Sequence, residues 1–222
     1  MESWRLLVAA MNLIADGDWR GLTLGCRRVL SRASVRLRGL DLAPVDNIAV
    51  LDLSPERSRG HASSYGPELR IVLKMLRIRP GDAIIDFGSG KGGALIAFTK
   101  FPFSKIAGVE LSPEMIRIAR ENLACLGIKG VEIFHSDAEA FTDLEEYTHF
   151  YFFHPFPGQV LHSVIQNIKT SLERRPRDAT IIYLSAVHRD VIEAEPIFQK
   201  AKEFYLGTAL TGLWVIYTHR VL

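Results

Sequence analysis

The stretch Ile84-Ile85-Asp86-Phe87-Gly88-Ser89-Gly90-Lys91-Gly92-Gly93 decides how the rest of the chain is read. A short apolar run carries a carboxylate, breaks into glycines, and gives way to an apolar, helix-compatible segment at Ala94. That order reads as strand, tight turn and helix start. Glycine permits unusual backbone angles at such a turn and lets a ligand lie against bare backbone. The helix start adds unpaired N–H groups and the positive end of the helix dipole, a setting for an anionic or carboxylate-bearing group. Two spacings overlap. Gly88-x-Gly90-x-x-Gly93, with Glu110 downstream, fits a dinucleotide fingerprint. The same residues also read Asp86-x-Gly88-x-Gly90-x-Gly92, and glycines alone do not separate the two.

Outward from the turn, strand and helix alternate. Pro67 suits the first turn of a helix with Leu69, Val72, Leu73 and Leu76 on one face. Pro80-Gly81-Asp82 closes it and leads into a strand at Ala83–Phe87. Ile106–Leu111 reads as a second strand, and Ser112-Pro113 as the cap and first residue of a helix that runs to Leu126 and stops at Gly127. Val131–His135 is a third strand, ending at Ser136-Asp137; Phe150–Phe153 is a fourth, broken by His154-Pro155-Phe156-Pro157. A helix over Gly158–Arg174 and a strand over Thr180–Ser185 follow. Glu203–Leu210 and Leu213–Arg220, separated by Thr211-Gly212, read as a closing hairpin. The expectation is an α/β fold: a mostly parallel, seven-stranded Rossmann-like sheet covered on both faces, with a reversed pair at its end.

Before this domain, residues 4–15 read as a short helix, and Leu22 to Leu40 as a second in which Arg28, Arg32 and Arg36 share one face. Residues 41–66 read as a loop with an extended piece at Ile48–Leu53. The division expected is a basic helical extension over 1–60 and the α/β domain over 61–222. Net charge is +2 in 222 residues, but residues 1–80 carry 13 Lys/Arg against 8 Asp/Glu, so the extension holds the basic excess. The arginine stripe is a solvated face or a docking face for an acidic or phosphate-bearing partner; without interleaved aromatics it speaks against nucleic acid. Cys26 and Cys125 lack the spacing of a metal site or disulfide framework, which fits a reducing compartment. The apolar run Leu6–Ala15 is too short to span a bilayer, and Glu2 offsets Arg5 where a signal peptide would be positive. A cytoplasmic protein is expected.

The polar residues at strand ends are Asp86, Glu110, Asp137, His154 and His188, and ligands of open α/β sheets bind beyond those ends. With the glycines, this set resembles motif I and its companions in the class I S-adenosylmethionine-dependent methyltransferases. Tyr65-Gly66-Pro67, Gly108-Val109-Glu110-Leu111-Ser112-Pro113 and Tyr151-Phe152-Phe153-His154-Pro155-Phe156 extend the likeness to a bacterial group distantly similar to the non-SET histone-lysine methyltransferases. The resemblance covers about residues 60–222. It implies S-adenosylmethionine as cofactor, with Gly88, Gly90 and Gly92 under its methionine and ribose. It further implies Asp86 ordering the turn and, through water, the ammonium, Glu110 accepting the ribose hydroxyls, and Asp137 accepting the adenine amino group. Tyr65, and with it His61, would form a lid.

That group usually has Asn where this chain has His154, and an Asn carbonyl there accepts from the target nitrogen. Histidine accepts through one nitrogen only when neutral. It suits proton removal from an oxygen acceptor instead. Phe156, in the same turn, is the aromatic placed to meet substrate; Tyr151, Phe152 and Phe153 line a methyl channel or fill the core. The reading is methyl transfer to an N or O acceptor, a protein lysine or other amine or a small molecule, with catalytic candidates His154, Phe156 and Tyr65. The alternatives are an NAD(P)-dependent oxidoreductase using the same loop and an inactive binding protein of the same fold. No metal is expected.

Overall fold

The computed structural model describes residues 26, 29–30, 35, 37–43, 64–153, 156–206 and 212–221. The chain divides into two compact units, Met1–Asp41 and Leu42–Leu222. In the first, Cys26, Val29, Leu30, Val35 and Leu37 are helical, and the Leu40 N–H donates to the Val35 carbonyl at 3.1 Å. The helix expected over 4–15, the arginines Arg28, Arg32 and Arg36, and the extended piece at Ile48–Leu53 lie outside the described residues.

The second unit opens with helix α1 (Pro67–Leu76), which buries Leu69, Val72 and Leu73, and runs into β1 (Ala83–Phe87). Then come α2 (Gly93–Phe98), β2 (Lys105–Glu110), α3 (Pro113–Cys125), β3 (Val131–His135) and β4 (His149–Phe153). The chain ends through α4 (Gly158–Arg174), β5 (Ala179–Leu184), α5 (Arg189–Glu193), β6 (Gln199–Tyr205) and β7 (Leu213–His219). Capping explains α3. The Ser112 hydroxyl accepts from the Met115 N–H, and past the helix the N–H groups of Gly127 and Ile128 return to the Ala124 and Leu123 carbonyls, both at 2.9 Å. That pair of bonds requires a left-handed residue, supplied by Gly127 at φ +64.

The sheet has seven strands in the order β3-β2-β1-β4-β5-β7-β6. β3, β2, β1, β4 and β5 pair in parallel, while β7 runs antiparallel to both β5 and β6. Alternation along the buried strands splits the core in two. Ile85, Phe87, Val109, Phe150, Phe152, Ile181 and Val215 face α4, with Phe87 stacked on Phe152 at 5.2 Å. Ile84, Ile106, Tyr151, Ile182 and Trp214 face α1 and α2. The final hairpin begins earlier than the sequence pattern indicates, at Gln199. β6 is an edge strand whose exposed Lys200 and Glu203 pair at 2.9 Å, so no apolar alternation marks its start.

Candidate functional site

Because β3, β2, β1, β4 and β5 are parallel neighbours, their carboxyl ends form one continuous rim. The turn after β1 lies at its centre. Gly88, Gly90 and Gly92 all have positive φ, at +77, +52 and +79, a region costly for residues with a Cβ. The Gly88 and Ser89 N–H groups donate to the Val109 carbonyl at 2.9 and 3.1 Å, folding the turn back over β2. Asn122, reaching from α3, donates through Nδ2 to the Lys91 carbonyl at 3.0 Å.

That fold-back explains Gly108, which sequence reasoning passed over. A Cβ at Gly108 would stand 2.6 Å from both Cβ and Oγ of Ser89 and 3.1 Å from a Leu95 methyl. Gly108→Ala therefore pushes the turn off β2, with an expected loss of about 1–3 kcal/mol by overpacking. Ser89→Gly in the same background should recover most of it in a urea titration. A Gly108→Ala protein as stable as its parent would refute the close approach.

Two of the sequence-identified acids lie at the turn, and the third follows β3. Glu110, at the end of β2, is 8% exposed. Its Oε2 accepts from the Gly90 N–H at 2.8 Å and its Oε1 from the Ser112 N–H at 2.9 Å. Burial raises its pKa and these two N–H donors oppose the rise. Asp86, buried at 3% exposure, is pushed well above the usual carboxylate range by burial first and the Glu110 charge second. It lies beside Tyr151 in the β1–β4 register. The buried Tyr151 phenol is raised by burial, then by Asp86, with the Ser64 side chain opposing. Asp137 lies past β3, and its Oδ1 accepts from the Glu139 N–H at 3.1 Å. Tyr65, half-buried, directly precedes the Gly66 cap of α1.

At the β4 and β5 ends the picture is different. His154 lies outside the described residues, as does His61. Phe156 is 6% exposed and its ring meets Phe152 edge-on at 6.4 Å, which places it in the core. Tyr151 and Phe152 are fully buried, whereas Phe153 is half-buried. His188 caps α5, and a Cβ on Gly158 would stand 3.2 Å from its Nδ1, so the β5 tip and the start of α4 are in contact. Ser185 holds φ +53 without being glycine, and its Oγ is buried with no hydrogen-bond partner. Lys91, Asn122 and Ser185 were missed as parts of this rim. Of these only Lys91, set inside the glycine run, carries a sequence signal.

Comparison with known proteins matches residues 78–169 to a methyltransferase domain family. Over that span, less than half of the chain, the sequence is similar to methyltransferase domains. A ribosomal protein L11 methyltransferase of Caldanaerobacter subterraneus is 30% identical over 110 residues, 50% of this chain and 36% of that one. A protein-L-isoaspartate O-methyltransferase of Aeropyrum pernix is 39% identical over 62 residues, 27% of this chain and 24% of its own length. The chain thus spans about a third or less of the curated relatives it matches. Among solved structures, the ribosomal protein L11 methylase of Lactobacillus delbrueckii superposes with a TM-score of 0.57 at 18% identity, covering 76% of this chain and 84% of that one. A mutant MtNAS in complex with S-adenosylmethionine superposes with a TM-score of 0.54 at 17% identity over 71% and 64% of the two chains. S-adenosylmethionine is the ligand named with that structure, and the residues at the turn here fit it. The turn offers backbone without side chains, and each Glu110 oxygen, bound to one N–H, keeps acceptor capacity for a hydroxyl.

Proposed function

We propose that this chain moves the sulfonium methyl of S-adenosylmethionine to a nitrogen or oxygen of a protein acceptor by in-line displacement. When bound, the cofactor supplies an electrophilic methyl. That methyl would pass to a lone pair of the acceptor nitrogen or oxygen, the S–CH3 electron pair remaining with the departing thioether, and the acceptor would give up a proton. The chain's part is binding, orientation and exclusion of water. Gly88, Gly90 and Gly92 provide bare backbone, Glu110 accepts the ribose hydroxyls, Asp137 accepts the adenine amino group, and Asp86 faces the ammonium through water. Tyr65 covers the cofactor. His154 aims the acceptor or takes its proton.

The observation that carries this reading is the pair of buried carboxylates at the glycine turn. Burial raises both, and the Glu110 charge further raises Asp86. A dinucleotide would bring its anionic pyrophosphate to the same turn, adding repulsion. A cofactor with an ammonium and a sulfonium offsets it. The reversed β7 between β5 and β6 also departs from the all-parallel dinucleotide fold.

The pH dependence has a definite sign. A carboxylate whose folded pKa is raised contributes stability that is present at low pH and lost as pH rises through that pKa. Above the raised pKa the unliganded protein carries the charge penalty, which a cationic ligand relieves. Affinity for S-adenosylmethionine should fall on acidification through the window above the ordinary carboxylate range, by up to about tenfold per pH unit for each proton that binding must displace. Calorimetric titration at pH 8 and pH 5.5 with S-adenosylmethionine, S-adenosylhomocysteine and NADP checks both points. Binding of NADP in place of the others, or an affinity flat in pH, refutes the reading.

A protein acceptor is favoured by the relatives, two of which are named for modifying a ribosomal protein and an isoaspartyl protein. Incubation of the chain with methyl-tritiated S-adenosylmethionine and a fractionated lysate tests it. Label in macromolecules supports a protein acceptor, and release by mild base marks an O-methyl ester rather than an N-methyl group. Label confined to small molecules refutes it.

A further inference from the structure

We propose that Tyr151 is a positioning residue of this site, its phenol O–H donating to the Asp86 carboxylate when a cationic ligand is bound. The inference rests on the reading of the glycine turn as an S-adenosylmethionine site and adds to it a residue of β4. The β1–β4 register makes Asp86 and Tyr151 direct partners on adjacent parallel strands. Neighbouring strands lie about 4.8 Å apart and partners in register point to the same face, so the two side chains stand side by side. Both are buried. The Tyr151 ring meets Phe98 edge-on at 5.5 Å, inside the cluster that holds Ile84, Ile182 and Trp214.

Nothing in that cluster calls for a hydroxyl. The strand reads His149-Phe150-Tyr151-Phe152-Phe153, with tyrosine only at the position beside Asp86. A phenylalanine would fill the same apolar space. Instead the phenol oxygen is buried with no hydrogen-bond partner among the described residues, and the Ser64 side chain approaches it without completing a bond. An unmet buried donor is unfavourable. The core residue Tyr217 differs, since its hydroxyl donates to Glu193 at 3.2 Å. Asp86 accounts for the exception. Its charge acts on the phenol, while burial and Glu110 disfavour its ionised form in the unliganded protein. A neutral carboxyl is a weaker acceptor than an ionised one. The phenol, held protonated by burial and by Asp86, thus gains a strong acceptor in the state that a bound ammonium or sulfonium favours. With no exposed surface, Tyr151 acts through Asp86 and not on the ligand itself.

Calorimetric titration of the full chain with S-adenosylhomocysteine and with methylthioadenosine, above neutral pH, tests it. The second ligand keeps the adenosyl and thioether parts and has no ammonium. Tyr151→Phe should weaken S-adenosylhomocysteine about tenfold and methylthioadenosine less than about twofold. Its unliganded melting temperature should equal or exceed the parent's, because the unmet donor is gone. In an Asp86→Asn background, Tyr151→Phe should cost no further S-adenosylhomocysteine affinity, since the two groups act as a unit. Undiminished affinity in Tyr151→Phe, equal losses for both ligands, or additive losses in the double variant overturns the proposal and leaves the site reading intact. So does a Tyr151→Phe protein that melts below the parent or fails to fold, which makes the hydroxyl structural. A parent that binds neither ligand removes the site reading, and the proposal with it.

Discussion

Glu110→Ala is expected to weaken S-adenosylhomocysteine binding by about 10- to 200-fold, or about 1–3 kcal/mol, and to destabilise the unliganded protein as well. The carboxylate works inward and outward. Inward, it is the acceptor for the Gly90 and Ser112 N–H groups, both buried at these bonds. Alanine leaves two donors without partners and unpins the turn from the start of α3. Outward, in the proposed complex, its remaining acceptor capacity meets the ribose hydroxyls. The loss is partly offset, because burying the ionised carboxylate is itself unfavourable, as its raised pKa records. Net destabilisation should therefore stay near 1–2 kcal/mol. Glu110→Gln separates the two roles: one oxygen still accepts, so most stability returns, but the second oxygen becomes a donor facing an N–H and affinity stays low. Calorimetry and urea titration on the three proteins read both effects. An alanine variant with parental affinity would remove the ribose role from Glu110.

Much of the fold was legible because local signals agreed with long-range order. β1 ends where Phe87 gives way to glycine, and positive φ at Gly88, Gly90 and Gly92 is what that run requires. Ser112-Pro113 starts α3 and Gly127 ends it by bonds specific to those residue types. The start of β6 was not legible. Gln199, Lys200, Lys202 and Glu203 are exposed on an edge strand with a register shift between Lys200 and Lys202, so neither alternation nor apolarity announces them. Five-residue α5 is too short for periodicity to detect.

At the site, legibility followed topology. Acids at successive parallel strand ends must share a rim, so Asp86, Glu110 and Asp137 could be grouped without coordinates. Contacts made by approach of distant elements could not. The Cβ-sized gap that Ser89 fills over Gly108, the Asn122 amide on the Lys91 carbonyl, and the His188 ring against Gly158 depend on where helices come to rest. Phe156 shows the limit of residue-type reasoning. An aromatic in a substrate-side turn suggested contact with ligand, yet its ring is packed under Phe152. His149 is comparable: nothing in the sequence marks it, but it is buried at the amino end of β4, edge-on to Phe103. Burial pulls its pKa down to about 4, against the Asp82 charge.

Arg177→Ala should be strongly destabilising for a half-buried polar residue, costing about 3 kcal/mol. The guanidinium has five N–H donors, and all five are used. Nε donates to the Tyr147 carbonyl at 2.8 Å. Nη1 donates to the Ser171 and Arg175 carbonyls at 3.1 and 2.8 Å. Nη2 donates to the Leu144 carbonyl at 2.7 Å and the Ser171 hydroxyl at 2.9 Å. One side chain thus ties the turn entering β4, the last turn of α4 and the start of β5. Its removal leaves four carbonyls and a hydroxyl without their donor, more acceptors than the two O–H groups of one water can meet. Burial lowers the Arg177 pKa, with Glu145 opposing, but the group stays charged at any pH the protein would meet. Partial exposure reduces the value of each bond, which is why about 3 kcal/mol is expected rather than the sum of five charged hydrogen bonds. Arg177→Lys has three donors in a cone instead of a planar fork and should recover less than half. Arg177 acts at the amino ends of the strands, opposite the glycine turn. The folded fraction of Arg177→Ala should therefore bind S-adenosylhomocysteine like the parent. Urea titrations of the three proteins with and without that ligand separate the two terms. A loss under about 1 kcal/mol, or full rescue by lysine, would show that the clamp holds far less than its bonds suggest.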